Sequence, residues 1–323
     1  MLRPIPSESK RRLYEKLYDD LGQTIHDSLQ DEDIHEVMLN PDGKLWVDSA
    51  KKGLIPRCEL NPTQAFAIIH SLAGIHNFVV DQYSPQLEAD LPFFKTMQGE
   101  RFTAQVPPIV SHPCFSLRKK SHAVFALEDY VTSKRLTIKQ LEVLKNLIHE
   151  RKNILVCGGP GSGKTTVTNA LILEAVKSDP NQRILILEDV PELQCKASNV
   201  VAMLTSETIK LTGLLRSAMR MRPDRILIGE VRGSEALDML KAWNTGCPGG
   251  ICTVHANGAV EAIQRMIDLA MEAGLTVPPV QLVLHTIHAV VSVNRRGNQK
   301  GFINNILTVE TYQDGQFSFK TLG

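Results

Sequence analysis

The 323 residues carry 36 Lys+Arg against 35 Asp+Glu and are 43% hydrophobic, a composition that suits a two-domain globular protein and offers no global attraction to nucleic acid or anionic membrane. No uncharged apolar run is long enough for an ordinary membrane-spanning helix, and "MLRPIPSESKRRLYEKLYDDLG" lacks the apolar core of a secretory signal, so a cytoplasmic protein is expected. The six cysteines form neither a CxxC pair nor a zinc array and read as reduced, packed thiols.

Leu13, Leu17 and Leu21 recur at helical spacing among charges, which predicts an opening amphipathic helix. It either packs on its own domain or meets a membrane surface or another subunit. "EVMLNPDGKLWVD" then reads as strand, turn and strand, "PTQAFAIIHSLAGI" as a helix, and "ERFTAQVPPIV" and "CFSLRKK" as strands. These make a small α+β domain over residues 1–120, and residues 121–136 lack a sustained period and read as a linker.

From Thr137, which caps the helix "IKQLEVLKNLIHERK", strands and helices alternate to the end of residues 137–323. "NILVC", "RILILE", "RILIGE" and "GICTVH" are each followed by a helical pattern. That alternation predicts an α/β domain, with a parallel sheet covered on both faces.

The chemistry sits at the strand ends. Gly158-Gly159-Pro160-Gly161-Ser162-Gly163-Lys164-Thr165 fits GxxxxGK[ST] between a buried strand and a helix, with Thr166 following. The glycines let backbone N–H groups converge on phosphate oxygens, Lys164 reaches the β and γ phosphates of ATP, and Thr165 can ligate Mg²⁺. Glu230 ends "RILIGE", with Gly229 where most phosphate-loop proteins carry Asp. Glu188 ends the neighbouring strand beside Asp189, so two carboxylates flank one phosphate site as candidates for holding metal and catalytic water. Arg216 and Arg220, four apart in "LLRSAMRMRPDR", would share a helix face and could address one anion, including a phosphate held by a neighbouring subunit. His255 ends a further strand.

The ordered set GGPGSGKTT, ILEDVPEL, LRSAMRMRPDRILIGEVRG and NTGCPGGICTVHAN resembles the traffic ATPases of type II and type IV secretion, and in particular the hexameric ATPases of conjugative DNA transfer. "EVMLNPDGKLWVD", "GERFTAQVPP" and "FSLRKK" extend the resemblance into the first domain. It implies a RecA-like phosphate-loop domain at residues 137–323 and ATP bound with Mg²⁺ at Lys164 and Thr165. Glu188 and Glu230 would organise metal and water, His255 would attend the γ-phosphate, and Arg101 and Arg118 would reach the nucleotide from the first domain. It also implies a hexamer working with conjugation or secretion subunits at the inner membrane, with peripheral membrane contact open. Family members often carry His at the position of Cys247, where a thiol cannot supply an imidazolium charge.

Three rivals stand beside that reading. A pilus or type II assembly ATPase shares all four boxes. A motor gripping nucleic acid directly is disfavoured by neutral charge and 5% aromatic residues, so no sequence-specific nucleic-acid binding is expected. A non-hydrolysing scaffold is disfavoured by Glu188, Glu230 and His255 together.

Overall fold

A computed structural model describes residues 7–119, 124–206, 208–297, 299–313 and 316–323. The chain divides into two compact units between residues 122 and 123.

In the first unit, α1 (Glu8–Gln30) starts where the Ser7 side chain accepts the Lys10 N–H. Its inner face buries Leu17, Leu21, Ile25 and Leu29. Its outer face pairs Glu8 with Arg12, Arg11 with Glu15 and Lys16 with Asp20, one turn apart. Those pairs neutralise the basic residues that a membrane-surface role would need unpaired. Gly22, at φ 74°, kinks the helix, and buried His26 donates from Nε2 to the Tyr18 carbonyl at 2.7 Å beside the break. β1 (Ile34–Leu39), β2 (Lys44–Ser49) and β3 (Gly53–Glu59) follow, then α2 (Pro62–His76). Two two-residue strands, β5 (Phe93–Phe94) and β6 (Met97–Gln98), lie between β4 (Gln86–Asp90) and β7 (Arg101–Gln105), and β8 (Cys114–Arg118) closes the unit. The antiparallel sheet runs β3-β2-β1-β8-β7-β4, and its core joins Val37, Val47, Phe102 and Leu117 to α1 and α2.

The second unit opens with α3 (Leu127–Thr132), inside the segment expected as a linker. Leu127, Tyr130 and Leu136 are buried in this unit's core, so residues 127–136 are structural rather than connecting. α4 (Ile138–His149) begins at a capping box of Thr137 and Gln140. The alternation then gives β9 (Ile154–Gly158), α5 (Lys164–Ser178), β10 (Ile184–Glu188), β11 (Val200–Leu204) and α6 (Leu211–Ala218). It continues with β12 (Arg225–Glu230), α7 (Glu235–Asn244), β13 (Ile251–His255), α8 (Ala259–Met271) and α9 (Val280–Thr286). β14 (Ala289–Arg296), β15 (Gln299–Gln313) and β16 (Gln316–Thr321) end the unit.

The sheet order is β11-β10-β12-β13-β9-β14-β15-β16. The first six strands are parallel, and β15 and β16 extend the sheet antiparallel, which the expectation of a parallel sheet did not include. α3, α4 and α5 cover one face, and α6 to α9 cover the other. β9, β10 and β13 are buried along nearly their whole length, which explains their continuous apolar runs.

Candidate functional site

The loop from Gly158 to Lys164 joins β9, which lies between β13 and β14, to α5. Gly161 and Gly163 have φ 65° and 96°, a region open to glycine, which lets successive N–H groups turn inward. A side chain at Gly158 would overlap the Val293 carbonyl and come within 2.6 Å of the Ser162 hydroxyl. One at Gly163 would come within 2.9 Å of the Gly301 nitrogen. The loop is therefore pressed from below by β14 and β15, and Gly301 N–H donates to the Ser162 carbonyl at 2.7 Å.

Lys164 folds back on this loop, its Nζ donating to the Gly158 and Gly159 carbonyls at 3.0 and 3.1 Å and to His255 Nδ1 at 3.3 Å. Neighbouring β13 places His255 beside Gly158. His255 Nε2 lies 3.0 Å from Glu230 Oε1, and Arg232 donates to Glu230 Oε2 at 2.8 Å. The His255–Glu230 approach is a close contact without hydrogen-bond geometry, which leaves Glu230 Oε1 unpaired among the described residues. Lys164, His255, Glu230 and Arg232 thus stand in one row across the strand ends, with Glu230 half-buried and anchored by Arg232. A cleft of about 700 Å³ opens beside it, between Gly159–Pro160, His255–Asn257 and the polar face of α8.

Glu188 is 3% exposed, and its Oε1 accepts the N–H groups of Glu192 and Leu193 at 2.9 and 2.8 Å. A Cβ on Gly229 would sit 3.1 Å from the Glu188 Cγ, so the missing Walker Asp leaves the space over which Glu188 lies. Thr165 does not pair with Glu188; its hydroxyl donates to Glu192 Oε2 at 3.0 Å. Sequence reading missed Glu192, whose signal was the third acid of "EDVPEL". Asp189 accepts from the Thr205 hydroxyl at 2.9 Å, on the outer side of the same turn.

The arginine cluster resolves differently from its expected form. α6 ends at Ala218, so Arg220 lies beyond the helix and does not share a helical face with Arg216. Both are exposed, without an ion-pair partner among the described residues. Arg225 is fully buried, donating to Gln182 Oε1 at 2.7 Å and to the Gly249 and Ile148 carbonyls at 2.8 and 3.1 Å. Burial pulls its pKa down to about 10. Gly249 and Gly250 press against Arg225 and Trp243, so the paired glycines that end "TGCPGG" serve packing. Cys247 is buried beside Met219 Sδ and the Pro223 carbonyl, away from the phosphate loop, and burial raises its pKa.

In the first unit, β7 and β8 set Arg101 directly opposite Arg118. Their outer neighbours in register are Asp90 and Glu36, and Arg101 also lies 3.9 Å from Glu88, so two cations adjoin between acids. Like charges placed this way repel unless an anion joins them.

The fold and this row of residues define a phosphate-loop NTPase of RecA-like architecture. The chain belongs to the Type II/IV secretion system protein family, whose profile matches residues 70–316, and the family is one of nucleotide-using ATPases. It is 39% identical over 309 residues to the conjugal transfer protein TrbB of Rhizobium radiobacter, covering 96% of this chain and 94% of that one. It is 30% identical over 287 residues to the type IV secretion system protein VirB11 of Bartonella henselae, covering 76% and 78%. The fold is shared with the Legionella pneumophila ATPase DotB at TM-score 0.62 and 16% identity, over 99% of this chain and 82% of DotB. It is shared with the pilus retraction motor PilT at TM-score 0.59 and 20% identity, over 92% and 80%. No helix among the described residues is long and apolar enough to cross a membrane.

Proposed function

We propose that this chain is the ATP-hydrolysing motor of a conjugative or type IV secretion apparatus, acting as a homo-hexamer on the cytoplasmic side of the inner membrane. Near full-length similarity to a conjugal transfer protein favours this over the pilus-assembly reading. The observation that carries the chemistry is the row Lys164, His255 and Glu230, which sets a carboxylate 3.0 Å from the histidine that meets the phosphate-loop lysine.

ATP binding exchanges the loop carbonyls on Lys164 for β and γ phosphate oxygens, and the N–H groups of Gly159 and of Gly161 to Thr166 close around them. Glu230 then orients the attacking water and accepts its proton as the bond from the γ-phosphorus to the bridging oxygen breaks and ADP leaves. Because charge spreads over the phosphoryl oxygens in this transition state, positioning and fixed charge supply most of the rate. His255, released from Lys164, donates to a γ-phosphate oxygen.

The oxygen donors fit Mg²⁺, which takes few protein ligands and keeps waters and phosphate oxygens. Thr165 and Glu192 would hold it, and Glu188 and Glu230 would reach it through water; when bound it neutralises β and γ phosphate charge. Arg101 and Arg118 would complete the site by gripping an anionic phosphate between them, and Arg216 or Arg220 would serve a neighbouring copy. Release of that grip after hydrolysis is the step that makes movement. Apparatus subunits at the inner membrane would take up that movement.

The test is a three-way comparison of nucleotide binding and phosphate release in the full chain. Lys164→Ala should lose binding and Glu230→Gln should bind ATP with little turnover. Arg118→Ala should weaken ATP more than ADP, with Arg118→Lys a poor rescue because an ammonium lacks the planar fork. Wild-type turnover in Glu230→Gln would return Glu230 to an ordinary strand-end acid.

A further inference from the structure

Glu230 stands beside the phosphate loop against the alternation of its own strand. Ile226 and Ile228 enter the core beneath α6 to α9, while Leu227 between them enters the core beneath α3 to α5. Continued unbroken, that alternation would send Glu230 the way of Ile228, to the face opposite α5 and its Lys164. It does not go there. Val231, which an unbroken strand would turn toward α5, is buried with Ile226 and Ile228 instead. One residue between Ile228 and Val231 is therefore extra.

The ladder with β13 places it at Gly229. Ile228 pairs with Cys252 and Glu230 with Thr253, so two steps along β12 match one along β13. Ile251 lies on the α5 face, and Thr253 and His255 follow it there at alternate positions. The bulge brings Glu230 across to join them. It also accounts for the glycine, since a Cβ at 229 would come within 3.1 Å of the Glu188 Cγ on that same face.

Thr253, only 3% exposed, grips the bulge from both sides of Glu230. Its hydroxyl donates to the Gly229 carbonyl at 2.6 Å, and its own carbonyl accepts the Val231 N–H at 3.1 Å. We propose that Thr253 is a positioning residue for ATP hydrolysis, its hydroxyl fixing the bulge that turns Glu230 toward the γ-phosphate. The inference rests on the reading of Glu230 as the carboxylate that orients water, and Thr253 acts only through it.

The test compares Thr253→Val, which keeps the shape and loses the hydroxyl, with Thr253→Ser, which keeps the hydroxyl. ATP affinity and single-turnover phosphate release are measured separately in the full chain. Thr253→Val should slow hydrolysis roughly tenfold to a hundredfold, the scale of a 1 Å misplacement, with ATP affinity held within about twofold. Thr253→Ser should recover most of the rate. Added to Glu230→Gln, Thr253→Val should cost little more, because the group it positions is already gone. Wild-type hydrolysis in Thr253→Val, an equal fall in affinity and rate, a serine variant as slow as the valine, or an additive loss on Glu230→Gln overturns the positioning role alone. Wild-type turnover in Glu230→Gln overturns the reading beneath it as well.

Discussion

Gly249 and Gly246 provide a matched pair for weighing the buried Arg225. Both adopt positive φ, 83° and 102°, so alanine at either meets the same backbone penalty, about 1–2 kcal/mol. Nothing lies within 4 Å of a Cβ on Gly246, whereas one on Gly249 would overlap the Arg225 guanidinium, its carbon only 2.7 Å away. Arg225 has no room to retreat, being held by Gln182, Gly249 and Ile148. Losing one hydrogen bond from a buried charged group costs about 1.5–3 kcal/mol. Gly249→Ala should therefore destabilise by about 3–5 kcal/mol against about 1–2 for Gly246→Ala. At a urea slope of about 3 kcal/mol/M, the midpoints should fall by about 1.3 M and 0.5 M. Trp243 reports on the second unit and Trp46 on the first, so the measurement is fluorescence-detected urea unfolding in a Trp46→Phe background. Trp46 Nε1 has no hydrogen-bond partner among the described residues, so removing it leaves no acceptor unpaired. Equal midpoint shifts for the two alanines would refute the steric argument and make Arg225 a yielding side chain.

Glu192→Gln should keep nucleotide binding but raise the Mg²⁺ concentration for half-maximal turnover severalfold, read in a metal titration of phosphate release; an unchanged metal dependence would remove Glu192 from the site. Cys247→Ser, which alters only a buried packing contact, should keep ATP hydrolysis within about threefold in a steady-state assay, and a loss above about tenfold, 1.4 kcal/mol of barrier, would give the thiol a catalytic part. His288 accepts the Asn153 N–H through Nδ1, and burial, with Lys152 nearby, holds its pKa below the ordinary histidine value. The unfolded chain therefore protonates first: this contribution to stability is complete above about pH 6.5 and is lost as pH falls through the depressed native value. His288→Asn, which retains an acceptor, should flatten the fall in melting temperature below pH 6.5, and an unaltered slope would exclude His288 as its source.

The four boxes could be read from sequence because each is local: a turn that demands glycine, or an acid directly following a buried strand. Glu188, Glu230 and His255 were singled out that way, and in the structure His255 lies between Lys164 and Glu230. Glu192 was missed because its relation to Thr165 arises only when the turn after β10 folds back under two N–H bonds to Glu188. Nothing local marks Arg225 as buried, because its neutral partners, Gln182, Gly249 and Ile148, are scattered through the sequence. Arg220 was placed on a helix that stops at Ala218, just before Arg222 takes φ 52°. Residues 127–136 read as a linker because three buried side chains in ten make no period; their partners lie in α4, α5 and β15. β15 and β16 carry an alternation that was overlooked beside the stronger parallel-strand runs.

Support of the phosphate loop by Val293 and Gly301 ties the earliest motif of the second unit to nearly its last strands. A ribosome that has just delivered Thr165 still has some 130 residues to add before that support exists, and chains are made at about 5–20 residues per second. For several seconds or more, each nascent copy displays a complete nucleotide motif on an unfinished foundation.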